Sequence, residues 1–365
     1  MNKKPCLLFV GPMQLPIPSE KGAVEEIIWQ TAKRLKTNYS VFIFNPIERN
    51  ILSMTLKTMV LLMHKLSTCI IHSHNLFASI MLTQRKLKWR HIITLHYPPN
   101  IAKSEIRKKL FLALLKYLTS RGTIITVPSW HIKNYLLTVG LRNVVFMPNG
   151  VDTLLFSPTK RSEELREKLL GDKELLLVSV GRIHPEKNQL TLVKAIKDLV
   201  YNYHIKNFKL LLIGPRSGTF KKSGENMYYR ILIDFIKKHK LEHYVIFLDL
   251  PTRREIAQVL ASSDLYIHPS IVEVAAPLAV LEAMASKLSI IAFDLPFYKY
   301  YLINSYNSLL VPKVNYKLLA SAVLMLMEND VLRKKMAENS YSMATQHFSW
   351  DNIVRQYSLL YEILQ

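Results

Sequence analysis

The residues best suited to bind a strongly charged ligand lie in the segment Val180–Asn188, VGRIHPEKN. Arg182 directly follows Gly181, and Lys187 comes five residues later, just before a predicted helix. Glycine lets the backbone approach a ligand closely, and cations at a helix N-terminus attract phosphate groups. Spacing alone leaves this interpretation in balance with a solvated loop that carries two surface cations. The segment therefore predicts a site for a diphosphate or another anion.

A second polar segment follows another predicted strand and carries two carboxylates. Ser270 and Glu273 lie in the loop after the strand, and Pro277 suits the first position of the next helix. The amides of Leu278 and the residues after it would offer free N–H groups to a phosphate. Glu282 lies in an otherwise apolar helix and needs a partner, such as ribose hydroxyls or a structural cation. The residues alone favour a structural role for Glu282, either in an ion pair or on a solvated face.

Two positions in the first half of the chain also suit a ligand. Gly22 opens the predicted helix Ala23–Leu35, and His96 directly follows a predicted strand. An ordinary turn is the default interpretation of a single glycine in a loop. His72, His74 and His96 match no helical zinc motif, and no cysteine or carboxylate cluster accompanies them, so we expect no metal site.

Short apolar runs alternate with longer amphipathic segments, and these elements must position the polar residues. The first half of the chain predicts strands at Leu7–Val10, Val41–Asn45, Cys69–Ser73, His91–Leu95, Thr123–Val127 and Val144–Pro148, with helices at Ala23–Leu35, Ser53–Leu66, Ser104–Leu118 and Trp130–Val139. This βαβα order predicts an α/β fold with a parallel sheet covered on both faces. Ligands of such sheets bind outside the carboxyl ends of the strands.

A second alternation begins after an irregular, charged break near residues 150–172. Strands are predicted at Leu175–Val180, Lys209–Ile213, Val245–Leu248, Leu265–His268 and Leu288–Phe293. Helices are predicted at Ser162–Leu170, Gln189–Asn202, Met227–Lys238, Arg253–Ala261, Pro277–Ala285, Tyr316–Met327, Val331–Thr345 and Asp351–Leu364. The pattern predicts two doubly wound domains.

Composition limits the classes of protein that fit. The 365 residues are 49% apolar and 21% charged, which indicates a globular chain, and the formal net charge is +22. Such a charge favours nucleic acid, anionic lipid or phosphorylated molecules, but no nucleic-acid motif occurs, so we expect no nucleic-acid partner. Cys6 and Cys69 are too few for a disulfide framework or a zinc site, and we expect a reducing, cytoplasmic setting. Neither a signal peptide nor a spanning segment is predicted.

The segment 103–121, KSEIRKKLFLALLKYLTSR, predicts an amphipathic, basic helix. Its apolar stripe consists of Leu110, Leu114, Tyr117 and Leu118, and the cations around it are Arg107, Lys108, Lys109, Lys116 and Arg121. The stripe can face the core, or it can lie on an anionic membrane surface. The second interpretation places the protein at the inner face of the membrane as a peripheral protein.

Taken in order, these segments resemble the family-four retaining glycosyltransferases (glycosyl transferases group 1), and the resemblance covers nearly the whole chain. The matching positions are Gly22, His96, PNGVDTLLFSP (148–158), VGRIHPEKN (180–188), LLLIGP (210–215), PS…E…LEAMA (269–285), NSLLVP (307–312) and FSW (348–350). The resemblance implies the GT-B fold, in which two Rossmann-like domains face each other across a cleft. It implies an acceptor-side domain at residues 1–160, a nucleotide-sugar domain at 161–348, and a C-terminal helix at 349–365 that crosses back to the first domain.

The family assigns roles to matching residues. Arg182 and Lys187 match its diphosphate-binding pair, Glu282 matches the second Glu of its E-x7-E motif, which holds the ribose, and His96 matches a histidine that contacts the donor sugar. The residue at the position of the first Glu is Val274, with Glu273 one residue earlier, so either the loop has slipped or the role has moved.

The resulting hypothesis is a metal-independent, retaining hexosyltransferase without cofactor. It moves a sugar from a nucleotide-diphosphate sugar to a hydroxyl of a glycan or a lipid-linked acceptor. The alternative is a catalytically impaired nucleotide-sugar-binding or scaffold protein at the membrane surface. The catalytic candidates are Arg182, Lys187, Glu273 and His96, and the substrate-binding candidates are Gly22, Gly181, Ser270, Leu278 and Glu282.

Overall fold

The computed structural model describes residues 4–12, 14–18, 22–45, 69–83, 90–97, 104–216, 227–249, 252–273 and 277–365. The predicted helix Ser53–Leu66 lies outside these residues. By its internal contacts the chain divides into two compact units: unit 1 is Met1–Gly150 with Trp350–Gln365, and unit 2 is Val151–Ser349. The first stretch of unit 1 thus ends at Gly150. The boundary predicted from the sequence was ten residues later, at residue 160.

Unit 1 contains a six-stranded sheet in the order β2-β1-β3-β4-β5-β6, with every described pairing parallel. The strands are β1 Cys6–Val10, β2 Ser40–Phe44, β3 Ile70–Ser73, β4 His91–Thr94, β5 Ile124–Val127 and β6 Val144–Phe146. Among the described residues before Gly150, the helices are α1 Ala23–Leu35, α2 Leu76–Thr83, α3 Glu105–Ser120 and α4 Trp130–Thr138. The strand order reverses between β1 and β3, which is where doubly wound sheets bind ligands.

Unit 2 repeats this architecture with the strand order β12-β11-β10-β7-β8-β9, again parallel. The strands are β7 Leu175–Val180, β8 Phe208–Ile213, β9 Val245–Leu248, β10 Leu265–His268, β11 Ser289–Phe293 and β12 Ser308–Val311. The helices are α5 Glu163–Leu170, α6 Gln189–Tyr201, α7 Met227–Lys238, α8 Arg253–Ala261, α9 Leu278–Ala285, α10 Tyr316–Glu328 and α11 Asp330–His347. Here the order reverses between β7 and β10.

The last helix, α12 (Trp350–Ile363), belongs to unit 1 and packs against α1. Its inner residues Ile353 and Tyr361 are fully buried, and Asp351 pairs with Arg34 of α1 at 2.8 Å. A Cβ atom at Gly150 would lie 2.5 Å from the Trp350 ring, so a larger residue at position 150 would displace the start of α12.

Two elements were not predicted from the sequence. Helix α2 has the sequence LFASIMLT, which is apolar nearly throughout, so it lacks the polar face that marks a helix on a sheet. Strand β12 is only four residues long, Ser308–Val311, and pairs with β11 along its whole length. Both elements are recognisable only from their tertiary partners.

The expectation that the two cysteines are reduced thiols is wrong, because Cys6 and Cys69 form a disulfide bond. Strand register explains the pairing. Leu7 of β1 lies opposite Ile70 of β3, so the residues that precede them are neighbours, with their Cα atoms 4.4 Å apart. The cysteines are 63 positions apart in sequence, and the sheet brings them together.

The apolar residues that were predicted to form one stripe of helix α3 do not all face the core. Leu115 and Leu118 are fully buried, whereas Ile106 is 79% and Leu110 is 58% exposed, and Tyr117 is also exposed. The exposed residues follow helical spacing, so they form a second apolar stripe that faces away from unit 1. The stripe predicted from the sequence therefore contained residues of both the buried and the exposed stripe.

Candidate active site

The predicted anion loop begins where β7 ends, at the point of unit 2 where the strand order reverses. Gly181 follows the last strand residue, and Gly214 follows neighbouring β8. A Cβ atom at Gly214 would lie 2.1 Å from the carbonyl oxygen of Gly181, and its φ of 148° also favours glycine. Glycine at position 214 therefore lets the two strand ends approach each other closely.

The backbone of the loop is fixed by the N-terminus of α6. Lys187 ends a short 3₁₀ turn, Pro185–Lys187, and Asn188 then takes a left-handed conformation before α6 begins. Gln189 Nε2 donates to the carbonyl oxygen of Arg182 at 2.8 Å. Arg182 and Lys187 therefore lie on one loop whose backbone is fixed at both ends.

The loop after β10 is bound to the loop after β7 through one backbone carbonyl. The carbonyl oxygen of Glu186 accepts from the amide of Ile271 at 2.9 Å and from Ser270 Oγ at 3.2 Å. Ser270 is fully buried, and its hydroxyl is shared between the carbonyl oxygens of Glu186 and Val272, the second at 3.1 Å. A contact between Ser270 and substrate stays a prediction.

The connection between the loops brings Lys187 and Glu273 together. Lys187 Nζ donates to Glu273 Oε1, and the same oxygen lies 3.0 Å from His268 Nε2. Burial by itself raises the pKa of Glu273, but the hydrogen bond from His268 and the charge of Lys187 outweigh it and hold the pKa at about 2. Burial lowers the pKa of His268, which is therefore neutral at pH 7. Glu273 is an ionised carboxylate shared by an ammonium and an imidazole.

Helix α9 begins one residue later than predicted. Pro277 is the N-cap residue, with an extended ψ of 140°, rather than the first helical residue. The intrahelical bonds begin with Val280 N and Leu281 N, which both donate to the carbonyl oxygen of Pro277. The amides of Leu278 and Ala279 come before these bonds, as the predicted phosphate contact requires.

Glu282 lies one turn into α9 and is buried. Arg253 of α8 pairs with it, with Nη2 3.0 Å from Oε1. The guanidinium of Arg253 also lies over the ring of Phe156, 5.2 Å from its centroid. Of the two interpretations that the residues alone favoured for Glu282, the structural ion pair is therefore present and the solvated face is not. A ribose contact stays a prediction that the resemblance supplies.

In unit 1, His96 lies just past the end of β4 within a row of histidines. Its Nε2 lies 2.8 Å from Nδ1 of His74, and the ring of His74 stacks on that of His72 with centroids 4.6 Å apart. His72 bonds to Thr94 and to Tyr361 of α12, at 2.7 Å each. Burial lowers the pKa of His72 to about 3 and that of His96 to about 4, so both rings are neutral at pH 7.

Gly22 is the residue that precedes α1. A Cβ atom there would lie 2.0 Å from Glu25 Oε2, because the buried Glu25 side chain folds back over the helix start. A side chain at position 22 would therefore displace the carboxylate of Glu25. Within the described residues, no group of three or more histidines, cysteines or carboxylates is arranged to hold a metal ion.

Three residues of the site were not singled out from the sequence: His268, Tyr266 and Arg253. His268 and Tyr266 lie on β10, where residues of a buried strand are expected to be core. The available signal was a histidine at the very end of a buried strand, two residues after a tyrosine. Arg253 lies in α8, and its pairing with Glu282 depends on how α8 packs against α9.

Solved structures share this architecture over nearly their whole length. Sucrose-phosphate synthase from Thermosynechococcus elongatus superposes with a TM-score of 0.79 at 18% identity, covering 99% of each chain. Anabaena HepE in complex with UDP superposes with a TM-score of 0.80 at 19% identity, covering 98% of this chain and 100% of that one. At such identity the likeness shows the fold alone, and that fold is GT-B.

The family follows from the sequence models. The model described as glycosyl transferases group 1 matches residues 160–343, about half of the chain, and the model of glycosyltransferase family 4 matches residues 22–154. The chain therefore belongs to the glycosyl transferases group 1 family, and the protein is a glycosyltransferase of GT-B fold. This confirms the resemblance drawn from the motifs.

Curated relatives agree with this assignment. An uncharacterised glycosyltransferase of Methanocaldococcus jannaschii is 29% identical over 300 residues, which cover 81% of this chain and 75% of that protein. An Escherichia coli enzyme, UDP-Gal:alpha-D-GlcNAc-diphosphoundecaprenol alpha-1,3-galactosyltransferase, is 31% identical over 164 residues, which cover 44% of this chain and 38% of that enzyme. The match to the second relative is thus partial.

Proposed function

We propose that this protein is a retaining hexosyltransferase that moves a sugar from a nucleotide-diphosphate sugar to a hydroxyl of a glycan or a lipid-linked acceptor. The observation that carries the proposal is the Lys187–Glu273 pair, whose lysine lies on the loop that also carries Arg182, where the strand order of unit 2 reverses. Anions bind at such a point when cations and helix N-termini surround it. The carboxylates nearby suit sugar and ribose hydroxyls.

In the proposed reaction, Arg182 and Lys187 neutralise the nucleoside diphosphate as it leaves the sugar. The first amides of α9, at Leu278 and Ala279, add hydrogen bonds to the same charge. The acceptor hydroxyl attacks from the face that the diphosphate leaves, so the anomeric configuration is retained. Catalysis then depends on stabilising the leaving group and on positioning, and no metal ion is needed.

The remaining candidates bind the donor. Glu273 accepts a hydroxyl of the transferred sugar, Glu282 binds the ribose together with its partner Arg253, and His96 contacts the sugar as a neutral imidazole. Anabaena HepE has been solved with UDP and with UDP-glucose, which supports a uridine nucleotide as the first donor to test. The partial E. coli relative is named for UDP-Gal and a diphosphoundecaprenol-linked acceptor, which supports a lipid-linked acceptor.

Helix α3 supports the same class of acceptor. Its exposed residues Ile106, Leu110 and Tyr117 form an apolar stripe, and Arg107 and Lys109 beside them are exposed cations. An apolar stripe bordered by cations suits an anionic lipid surface. We propose that α3 lies against the membrane and keeps the enzyme near a lipid-linked acceptor. Among the described residues, no helix has both the length and the apolar character needed to cross a bilayer.

A thermal-shift panel of UDP, GDP, ADP and their sugars tests the donor site. A nucleotide at 100 times its Kd stabilises the folded state by about 2.7 kcal/mol, which raises Tm by a few degrees. We expect one nucleotide series to raise Tm in the wild type and not in the Lys187→Ala variant. The absence of any shift across the panel would overturn the proposal.

The reaction itself is tested with the selected donor sugar and a lipid extract. We expect nucleotide release and a product whose anomeric proton coupling shows the configuration of the donor. Nucleotide binding without release would favour the catalytically impaired alternative. A product of inverted configuration would contradict the retaining mechanism.

A further inference from the structure

A buried row of hydrogen-bonded side chains connects strand β10 to the anion site of unit 2. Tyr266 and His268 lie two residues apart on β10, so they project from the same face of the sheet. Tyr266 OH lies 3.1 Å from His268 Nδ1, and His268 Nε2 lies 3.0 Å from Glu273 Oε1. Tyr266 and His268 are both buried, and neither has a role in the proposed reaction.

The donors and acceptors of the row follow from the charge of Glu273. An ionised carboxylate can only accept hydrogen bonds, so His268 Nε2 must carry the hydrogen. A neutral imidazole with its hydrogen on Nε2 has a lone pair on Nδ1, and Tyr266 O–H donates to it. The backbone oxygen of Val180 is farther from Tyr266 OH, at 3.4 Å. The row therefore runs in one direction, from the tyrosine to the carboxylate.

Lys187 and His268 both bind Oε1 of Glu273, but they differ in what they can contribute. The lysine ammonium sits on a flexible four-carbon stem, and two of its three N–H donors are left for a diphosphate. The imidazole of His268 is held by Tyr266 within the core. Among the described residues, Oε2 of Glu273 has no hydrogen-bond partner. The imidazole is thus the fixed support of the carboxylate, and Oε2 is left for a ligand.

We propose that His268 is a positioning residue for the reaction, a proposal that rests on the proposed function. Its Nε2–H holds Glu273 so that Oε2 can accept a hydroxyl of the donor sugar, and Tyr266 fixes the tautomer that makes this possible. When a diphosphate draws Lys187 toward itself, His268 keeps the carboxylate in place. The loss of this support lowers turnover and leaves diphosphate binding unchanged.

Two variants and a control test this role. Leu at position 268 removes the donor and keeps an apolar side chain, whereas the amide of Gln can still donate to Glu273. We expect His268→Leu to lower kcat about tenfold or more, and His268→Gln to remain within about threefold of wild type, because a hydrogen bond to a charged group is strong. The Kd of UDP, measured by calorimetry, should change less than about twofold in both. His243→Leu, at an exposed histidine of unit 2, is the matched control.

Coupling to Glu273 separates positioning from a general structural effect. In a Glu273→Gln background, His268→Leu should have no further effect on kcat, because the group that it positions has already been changed. Equal losses in His268→Leu and His268→Gln, or additive losses in the double variant, would overturn the proposal.

The tautomer provides a measurement that needs neither activity nor nucleotide. In nitrogen-15 spectra of histidine-labelled protein, the signals lost in His268→Gln identify His268. We expect a neutral ring with its hydrogen on Nε2, which changes when Tyr266→Phe removes the phenol. A hydrogen on Nδ1 in the wild type would contradict the proposal. If the wild type binds no nucleotide, the proposed function fails, while the tautomer still decides whether His268 holds Glu273.

Discussion

The Lys187–Glu273 pair determines how much positive charge the site offers to a ligand. Glu273 is ionised, with a pKa of about 2, and engages one of the N–H donors of Lys187. The pair by itself is electrically neutral, so in the proposed reaction the net positive charge toward a diphosphate comes from Arg182 and from the amides at the start of α9. The proposed reaction therefore uses Arg182 for its net charge and Lys187 for the two N–H donors that Glu273 leaves free.

We predict that Arg182→Ala and Lys187→Ala each lower the rate of nucleotide release about 10²–10³-fold, because each removes a charge that stabilises the leaving group. The measurement is kcat with the donor selected by the nucleotide panel, together with Tm to show that the fold is kept. Lys168→Ala, an exposed lysine on α5, is the control and should match wild type. Near-normal turnover in both site variants would place the anion site elsewhere.

A second residue-scale prediction concerns the buried partner of Glu282. Arg253→Met leaves the carboxylate without its cation, and removing one partner of a buried pair costs about 3–5 kcal/mol. Because Arg253 is partly exposed, we expect a loss of about 2–3 kcal/mol in the free energy of unfolding, measured by urea denaturation. Arg254→Met changes the exposed neighbour on the same helix and should cost less than about 0.5 kcal/mol. If Arg253→Met and Arg254→Met lower the free energy of unfolding equally, the contact between Arg253 and Glu282 does not stabilise the fold.

At the scale of elements, the adjacent strands β3 and β4 carry neutral, buried histidines. His72 is bonded on both ring nitrogens, to Tyr361 and Thr94, so it joins the sheet of unit 1 to α12. His91 bonds Thr123 through Nδ1 at 3.2 Å. These rings are neutral because burial lowers their pKa values, to about 3 for His72 and about 4 for His91.

These pKa values predict that the protein loses stability in acid. An unfolded histidine has a pKa of about 6.5, so between that pH and about 4 the unfolded chain binds more protons than the folded chain. The free energy of unfolding therefore rises with pH in this window, and the contribution is lost as pH falls from about 6.5 toward 4. Urea midpoints between pH 7.5 and 4.5 measure the slope. The His91→Asn variant cannot titrate at this position, so its urea midpoint should depend less steeply on pH. Parallel plots of midpoint against pH for wild type and variant would contradict the prediction.

The exposed stripe of α3 leads to a second prediction at this scale. Changing Arg107, Lys108 and Lys109 together to Glu should release the protein from anionic vesicles, because each cation near the surface contributes about 1 kcal/mol. Sedimentation with anionic and neutral vesicles at low salt is the measurement. Arg230, Lys237 and Lys238 on α7, changed to Glu, apply the same charge difference to unit 2 and should leave binding intact. Binding that survives the α3 change would show that this helix is not the docking surface.

At the scale of the whole molecule, each unit presents its candidate residues at the carboxyl ends of its own parallel strands. His96 follows β4 in unit 1, while Arg182 and Glu273 follow β7 and β10 in unit 2. The chain also carries a net charge of +22, which favours anionic substrates and surfaces as a class. The lysine and arginine side chains thus give the protein a positive electrostatic potential without a bound metal ion being required for it.

We therefore predict that sugar transfer needs no metal ion. In the proposed reaction, Lys187, Arg182 and the amides of α9 supply the positive charge that a divalent cation supplies in other enzymes. Initial rates in EDTA should equal those without chelator, and adding Mg²⁺ or Mn²⁺ should not raise them by more than about twofold. Activity that disappears in EDTA and returns with Mn²⁺ would contradict this.

Much of the fold was accessible from the sequence because local patterns carry it. Four elements have the predicted bounds: the helices Met227–Lys238 and Arg253–Ala261 and the strands Val245–Leu248 and Leu265–His268. In these segments the apolar periodicity and the turn residues that flank it indicate the same bounds. The VGR…EKN segment lies at the strand end where it was expected. Elements without such a pattern, the apolar helix α2 and the short strand β12, were missed.

The sequence by itself determined the family, the two parallel sheets and the cationic residues of the site, because each depends on residue types at short spacing. Tertiary structure alone decided which of these residues touch. Strand register joined Cys6 to Cys69, and the order of β7 and β10 placed Glu273 on Lys187. The packing of α8 against α9 gave Glu282 its arginine. These contacts join residues distant in sequence, and sequence spacing carries no information about them.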